Sequence, residues 1–397
     1  MEAELEPPAT GNGREGRGPW TIVCFAGVDW SSHKQRPQLL MGALAERGHR
    51  VVYVDNLGLR LPRPRDAGRV RRRLANWLKG TWRSAAVEGS GIHVESPLVL
   101  PFHHVKWMRA MTRRALVHRL RKRIPPDRPL LVWTYLCLPV VADVAEDLIA
   151  DLLVYDWADD AAEHILTKNR RVRERIGRWE DAMAARADLL LVASAELLRR
   201  RGSSNPRTHV MPHGAQPAHG AEHAPLPEIA GLPHPRVGFV GSITEWIDLD
   251  LVNRLARARP QWSFVMVGPV KTRLGSVARR ANVLFTGERP YEEIPAYLSS
   301  FDTAIIPYRI APAIEAASPL KLREYLVHGL PVVSVDIPEV RPFHPPVRFA
   351  SSAEEFLAAL EQALQEGRRE PEPGTRPWSW EECAEEVSRL IENALAK

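Results

Sequence analysis

The sequence has little of what would place it outside the cell or within a membrane. Its 397 residues include three cysteines, Cys24, Cys137 and Cys383, with no Cys-x-x-Cys spacing among them. That argues against a disulfide framework and against a zinc site, and a reducing compartment is expected. Long apolar runs are also missing. The longest, Leu130 to Ala142 (LLVWTYLCLPVVA), is interrupted by Thr134 and Pro139 and is too short to span a bilayer. Residues 1–18 (MEAELEPPATGNGREGRG) lack the apolar core of a signal peptide, and their acidic, Gly/Pro-rich composition is that of a disordered tail. A soluble, cytoplasmic chain is the expectation.

What is present suits two ordinary domains. The chain is 45% hydrophobic, and its 34 prolines and 25 glycines fall mostly between periodic segments, as short loops require. The formal charge of +6 is uneven: residues 1–235 hold 35 Lys+Arg against 26 Asp+Glu, and the remainder 19 against 22. Residues 60–128 alone hold 18 Lys+Arg and 4 acids. Such a segment suits an anionic membrane surface or a polyanion, or is simply a solvated helical face. No nucleic-acid recognition motif accompanies the charge, so no nucleic-acid partner is expected.

Along the chain, Thr21–Ala26 reads as a strand, a helical pattern follows from Arg36, Gly48 stops it, and Arg50–Val54 is the next strand, together one βαβ unit. Strands at Leu130–Thr134, Leu152–Tyr155 and Leu189–Ala193 continue the series, with a long helix through Arg178–Ala187. Residues 202–235 hold one short strand, Thr208–Met211, and are otherwise rich in Pro, His and Gly, the composition of a linker. A second alternating series then begins. It comprises strands at Val237–Val240, Ser263–Val267, Val283–Phe285, Thr303–Ile306 and Val332–Val335, and helices at Leu249–Ala258 and Tyr291–Leu298. The tail from Trp378 to Ala396 is amphipathic, with Ala384, Val387, Leu390, Ile391 and Leu395 on one stripe. The expected organisation is a tail at 1–18, a first Rossmann-like domain at 19–205, a linker at 206–235, a second Rossmann-like domain at 236–376, and a closing helix at 377–397 that crosses back. Two doubly wound α/β domains are expected to place their ligand sites at the carboxyl ends of the strands, facing a central cleft.

The stretch SPLKLREYLVHGLPVVSVD (318–336) carries the most chemistry. Ser318 is a capping type, Pro319 suits a first helical position, and Gly329 and Pro331 end the helix. Free N–H groups around Ser318, Leu320 and Lys321 would form a phosphate site after the strand Thr303–Ile306, with Lys321 adding charge. Glu324, one turn on, can accept two hydrogen bonds from a vicinal diol. The pair suits a nucleotide; the competing reading is an ordinary i,i+3 surface pair.

The arrangement PLKLREYLVHGLPVVSV closely resembles the donor-site helix of the retaining glycosyltransferases of family four, which have the GT-B fold. RVGFVGSITEWIDLDLVNRLARARPQWSFVMVGPV, NVLFTGERPYEEIPAYLSSFDTAIIPY and WSWEECAEEV resemble further segments of that family in their order. RPQLLMGALAERGHRVVYVDN, LLVYDWADD, ADLLLVASAELL and HVMPHGA resemble its acceptor domain more loosely, in the branch that includes teichuronic-acid-type cell-envelope transferases. The resemblance implies transfer of a sugar, with retention, from a nucleotide-sugar donor to a glycan, lipid-linked or small hydroxylated acceptor. It assigns Glu324 to the donor ribose and Gly241 and Ser242 to a loop near the donor phosphates. The chain departs from the pattern in three places. The family's other donor-site Glu falls at Ala316, with Glu315 out of register. The basic pair after the Gly241 loop is replaced by Glu245, Trp246 and Asp248, which leaves Lys321 and Arg289 as candidate phosphate cations. The Asn-Gly that commonly ends the first half is His213-Gly214.

Asp248-Leu249-Asp250 spells a metal-binding D-x-D, but its place at a helix start favours capping. No metal or other cofactor is expected. His103-His104 has no third ligand at metal spacing. In the first half Asp156, Asp159 and Asp160 follow a strand end, where one can act on an acceptor hydroxyl or cap the next helix. Asp29, His33, Arg36 and His213 are the candidate acceptor-side residues, Arg36 as an acceptor-phosphate ligand. Residues 105–123 form a basic amphipathic helix, apolar at Val105, Met108, Met111, Ala115 and Leu116, and Trp82 and Trp107 add interfacial aromatics. It is a candidate for peripheral membrane binding or for packing on the first sheet. The rival functions are a non-catalytic nucleotide- or glycan-binding scaffold and a sugar-nucleotide epimerase.

Overall fold

The computed structural model describes residues 19–57, 83–97, 99, 103–162, 169–202, 205–216, 226–370 and 376–396. The expected tail at 1–18, Trp82 and a large part of the basic 60–128 segment lie outside the described residues.

The chain divides into two compact units, residues 1–212 with 380–397, and residues 213–379. In the first unit the elements run β1 (Thr21–Phe25), α1 (Arg36–Glu46), β2 (Arg50–Val54), β3 (Arg83–Val87), β4 (Ile92–Ser96), α2 (Lys106–Leu120), β5 (Leu130–Thr134), α3 (Pro139–Leu148), β6 (Leu152–Trp157), α4 (Arg170–Arg186), β7 (Leu189–Val192), α5 (Ala195–Arg201) and β8 (Thr208–Val210). Its sheet has the order β3-β4-β2-β1-β5-β6-β7-β8, parallel except for the antiparallel β3–β4 edge. β1, β5, β6 and β7 are buried along their whole length, which is why they read as continuous apolar runs with no alternation.

The second unit contains α6 (Pro227–Ala230), β9 (Arg236–Val240), α7 (Leu249–Ala258), β10 (Ser263–Val267), β11 (Val283–Gly287), α8 (Ile294–Ser300), β12 (Thr303–Ile306), α9 (Pro312–Glu315), α10 (Leu320–Val327), β13 (Val332–Ser334), β14 (Val347–Phe349) and α11 (Ala353–Glu366). Its parallel sheet has the order β11-β10-β9-β12-β13-β14. The closing helix α12 (Trp380–Leu395) groups with the first unit and packs on α1, burying Ala384, Val387, Leu390 and Ile391.

Several local expectations change. The stretch 206–235 is not one linker: β8 joins the first sheet, and Ile229 of α6 is fully buried in the second core. Ser318 is not the cap of α10. The helix starts at Leu320 with Pro319 at the cap position, and the Ser318 hydroxyl instead accepts a bond from Arg323 at 3.2 Å. Tyr291–Glu293 is a 3-10 turn leading into α8 and not the first turn of a single helix.

In both sheets the strand order switches sides at one point, between β1 and β5 in the first unit and between β9 and β12 in the second. In doubly wound sheets the carboxyl ends flanking that switch form the natural ligand crevice. In the second unit those ends are Val240-Gly241 and Ile306-Pro307-Tyr308.

Candidate functional site

At the end of β9 the backbone is built for close approach. Gly241 (φ 137°) and Gly268 (φ 136°) lie back to back, and a Cβ on Gly268 would fall 2.2 Å from the Gly241 carbonyl oxygen. The loops are fastened by main-chain bonds from Gly241 N to Val267 O, Ile243 N to Pro269 O and Lys271 N to Ile243 O. Below them the hydroxyl of buried Tyr325, on α10, accepts a bond from Val240 N at 2.8 Å and ties the strand end to the helix. Gly268→Ala is therefore expected to cost about 1–3 kcal/mol from backbone strain alone. A denaturant melt indistinguishable from the parent would show that this turn is not rigid.

Two cations converge on that turn. Lys321 lies against Gly241: a Cβ there would meet Lys321 Cε at 3.0 Å. Its ammonium donates to the Tyr308 hydroxyl and sits 4.7 Å from the Tyr308 ring centroid and 5.2 Å from that of Phe239. The two rings and the hydroxyl fix a flexible side chain in one place. Lys271, from the loop after β10, donates to the Ser242 hydroxyl at 3.2 Å. It was not among the sequence candidates; the signal available was its place just past a strand's carboxyl end. Arg289, which was a candidate, instead holds Glu228 at 2.8 Å, so its charge is already compensated.

Glu324 projects from α10 one turn beyond Lys321. Its Oε1 accepts from the Tyr291 hydroxyl at 2.9 Å, and the Gln216 backbone also bonds to it. Burial pushes its carboxyl up to about 7, against the opposing pull of those two bonds. The residue nonetheless keeps a solvent-accessible edge. Burial and the neighbouring Glu324 push the Tyr291 hydroxyl well above its ordinary range, so it remains a donor. Tyr291 and Gln216 are further site residues that sequence reasoning missed.

The D-x-D is occupied by the protein's own groups. Asp248 accepts from the amides of Asp250 and Leu251 at 3.1 and 3.0 Å, and Arg309 reaches both aspartates. Ala316 is buried, and Glu315 ends the short α9.

In the first unit the candidates divide. Arg36 opens α1 and Asp156 ends β6; Arg36 Nε bonds both carboxylate oxygens at 3.0 and 2.9 Å, and its Nη1 bonds Pro212 O at 2.9 Å. Both side chains are buried, at 3% and 0% exposure. Burial pushes the Asp156 carboxyl up, with Arg36 opposing. This arrangement stands against the assignments of Asp156 to an acceptor hydroxyl and of Arg36 to an acceptor phosphate: each neutralises the other and neither faces solvent. Asp159 is exposed and Asp160 buried in the loop that follows. Asp29 and His33 lie in the β1–α1 loop, where Asp29 O accepts from Ser32 and His33 contacts Gln35 at 2.8 Å. His213, which begins the second unit, is buried.

Parallel α/β units with chemistry at the carboxyl ends beside a switch in strand order occur in many nucleotide-binding folds, the two-domain GT-B fold among them, and the comparisons with known proteins point to that fold. Residues 234–366, within the second unit, match the family described as Glycosyl transferases group 1. The chain is 27% identical over 258 residues to the putative teichuronic acid biosynthesis glycosyltransferase TuaH of Bacillus subtilis, a match that spans 60% of this chain and 64% of that protein's length. Among solved structures, sucrose-phosphate synthase from Thermosynechococcus elongatus superposes with a TM-score of 0.70 at 15% identity, over 96% of this chain and 100% of that one. HepE of Anabaena, in complex with UDP and glucose, gives 0.61 at 13% identity, over 94% and 99%. At these identities the structures establish the fold.

Proposed function

We propose that the protein is a glycosyltransferase that moves a sugar, with retention of configuration, from a uridine diphosphate sugar to a glycan, lipid-linked or small hydroxylated acceptor in cell-envelope polysaccharide synthesis. One observation carries the reading: Glu324, with Tyr291 on one oxygen, stands a helical turn from Lys321, which rests on the Gly241 turn. A carboxylate for a diol and a fixed cation for a phosphate, at that spacing, fit a nucleoside diphosphate. Lys271 and Lys321 supply the positive charge that the loop after β9 lacks, and they would stabilise the leaving diphosphate without a metal ion. The uridine preference is drawn from the UDP complex of the HepE neighbour.

In the first unit Asp159 and Asp160 are the remaining candidates for positioning an acceptor hydroxyl, with Asp29 and His33 as further acceptor-side candidates there and His213 as one at the start of the second unit. Peripheral attachment at the cytoplasmic face of the plasma membrane completes the reading. Among the described residues no helix is long and apolar enough to cross a membrane.

Titration calorimetry with UDP, GDP and ADP, paired with an assay of donor hydrolysis in the absence of acceptor, tests the proposal. UDP is expected to bind, and Lys271→Met with Lys321→Met to weaken it by about 10- to 150-fold, the usual range for losing a charge-assisted contact. Binding without any hydrolysis or transfer would favour the scaffold reading, and binding of none of the nucleotides would overturn the donor site.

A further inference from the structure

We propose that the outward face of α2 is the surface on which the protein lies against an anionic phospholipid bilayer. Trp107, Met111, Arg114 and His118 recur every three or four residues, so they form one stripe along the helix, with Arg121 and Lys122 in the turn just past its end. Leu116, Val117 and Leu120 are buried on the other side. Arg109 and Arg113 pair there with Asp143 and Asp147 of α3 at 3.1 and 2.5 Å. The helix is thus fastened by one face, and the stripe is what it presents to solvent. Trp107 is 64% and Met111 62% exposed.

Two features beside the stripe point to lipid. Just after α3, Ile149 is 83% exposed with φ 56°. A β-branched residue in the left-handed region is disfavoured, and helices commonly end there on glycine. The sequence keeps a large apolar side chain where the local backbone favours its absence. Asp147, two residues before Ile149, lines an open hollow of about 550 Å³ together with Arg114, Val117, His118, Arg121 and Lys122. Arg113 engages the Asp147 carboxylate, while Arg121 Nη2 donates to the Asp147 carbonyl at 2.8 Å, a neutral partner that leaves its charge. The hollow therefore faces a ligand with Arg114, Arg121 and Lys122. Cations at one end and beside an open hollow, with Trp, Met and Ile at the flank, match a headgroup layer with acyl chains beneath it. A nucleic acid offers phosphates but no place for Met111 and Ile149.

This surface gives the peripheral placement proposed above its physical means, and its test involves no nucleotide, so either reading can fail alone. The full chain is expected to sediment with phosphatidylcholine vesicles containing phosphatidylglycerol at low salt and to be released near about 0.5 M salt. The variants Trp107→Ala/Met111→Ala and Arg114→Gln/Arg121→Gln/Lys122→Gln should each lower binding by about tenfold or more. Ile149→Gly separates docking from folding, since it should raise Tm while lowering vesicle binding. Equal sedimentation with pure phosphatidylcholine would overturn the proposal. So would failure to sediment with anionic vesicles, retention by RNA in place of vesicles, or binding unchanged in all three variants.

Discussion

Glu324→Gln is expected to weaken nucleotide-sugar binding by about 10- to 150-fold while making the protein more stable at pH 8. The loss follows from chemistry: an amide oxygen accepts more weakly from a ribose diol than a carboxylate does, and a charge-assisted bond contributes about 1.5–3 kcal/mol. The gain follows from linkage. The Glu324 carboxyl titrates near about 7 in the folded protein, above its ordinary 4.5. A raised folded value gives a contribution to stability that is complete below about 4.5 and lost as pH rises through 7, up to about 3 kcal/mol before allowance for the side chain's exposed edge. Glutamine carries no such pH dependence and can still accept from Tyr291. The same titration sets affinity in the parent. A nucleotide sugar has no phosphate group titrating between pH 6 and 8, so binding should fall about tenfold from pH 8 to pH 6 as Glu324 is protonated. Tyr291→Phe removes a bond that favours the carboxylate and should move that profile to higher pH. Calorimetry across pH, with melts of both proteins, decides the matter. Unchanged affinity in folded Glu324→Gln would remove Glu324 from the donor site and leave it a structural partner of Tyr291.

The parts of this site that lie close in sequence were legible before the fold. Lys321 and Glu324 share one helix, and Gly241 ends an evident strand, so spacing and strand order suffice to set them at one lip. Tyr291, Gln216 and Lys271 were not legible. They come from three separate loops, and only the stacking of β11, β10 and β9, together with the path of 213–216, brings them to Glu324 and Ser242. Lys321 was legible as a charge, but its seat between Tyr308 and Phe239 depends on β12 lying beside β9. Arg289 shows the converse. As a cation near the right loop it drew attention, yet Glu228, from a stretch expected to be linker, holds it.

The fold shows the same division. Fully buried parallel strands announce themselves as apolar runs, and most were placed within a residue or two. β3, with the sequence RSAAV, carries no such signal and is a strand only because β4 pairs with it. Helix α2 was recognised, but its apolar positions admit more than one face. Met111, placed on the apolar stripe with Leu116, is in fact exposed on the opposite side. Which face a short basic helix buries depends on its neighbour, here the aspartates of α3 that take Arg109 and Arg113.

Asp156→Ala is expected to destabilise the first unit by about 3–5 kcal/mol, the range for removing one partner of a buried ion pair. The reason is the buried guanidinium: Arg36 is 3% exposed and would lose both bonds to the carboxylate that balances its charge. A charge so placed has no water to replace its partner. Two residues 120 positions apart are thereby made to fix the start of α1, the end of β6 and the chain at Pro212 in one arrangement. Replacing both members with apolar side chains of similar size, Arg36→Met with Asp156→Leu, should recover most of the loss, because the cost of desolvating the pair disappears with it. Denaturant melts of the two single variants and the double variant measure the coupling directly. Since the parent pair is already mutually neutralised, the double variant should also retain transfer activity. A double variant that folds with parental stability yet transfers nothing would mean that Asp156 does act on an acceptor hydroxyl, and that its bond to Arg36 opens when the acceptor binds.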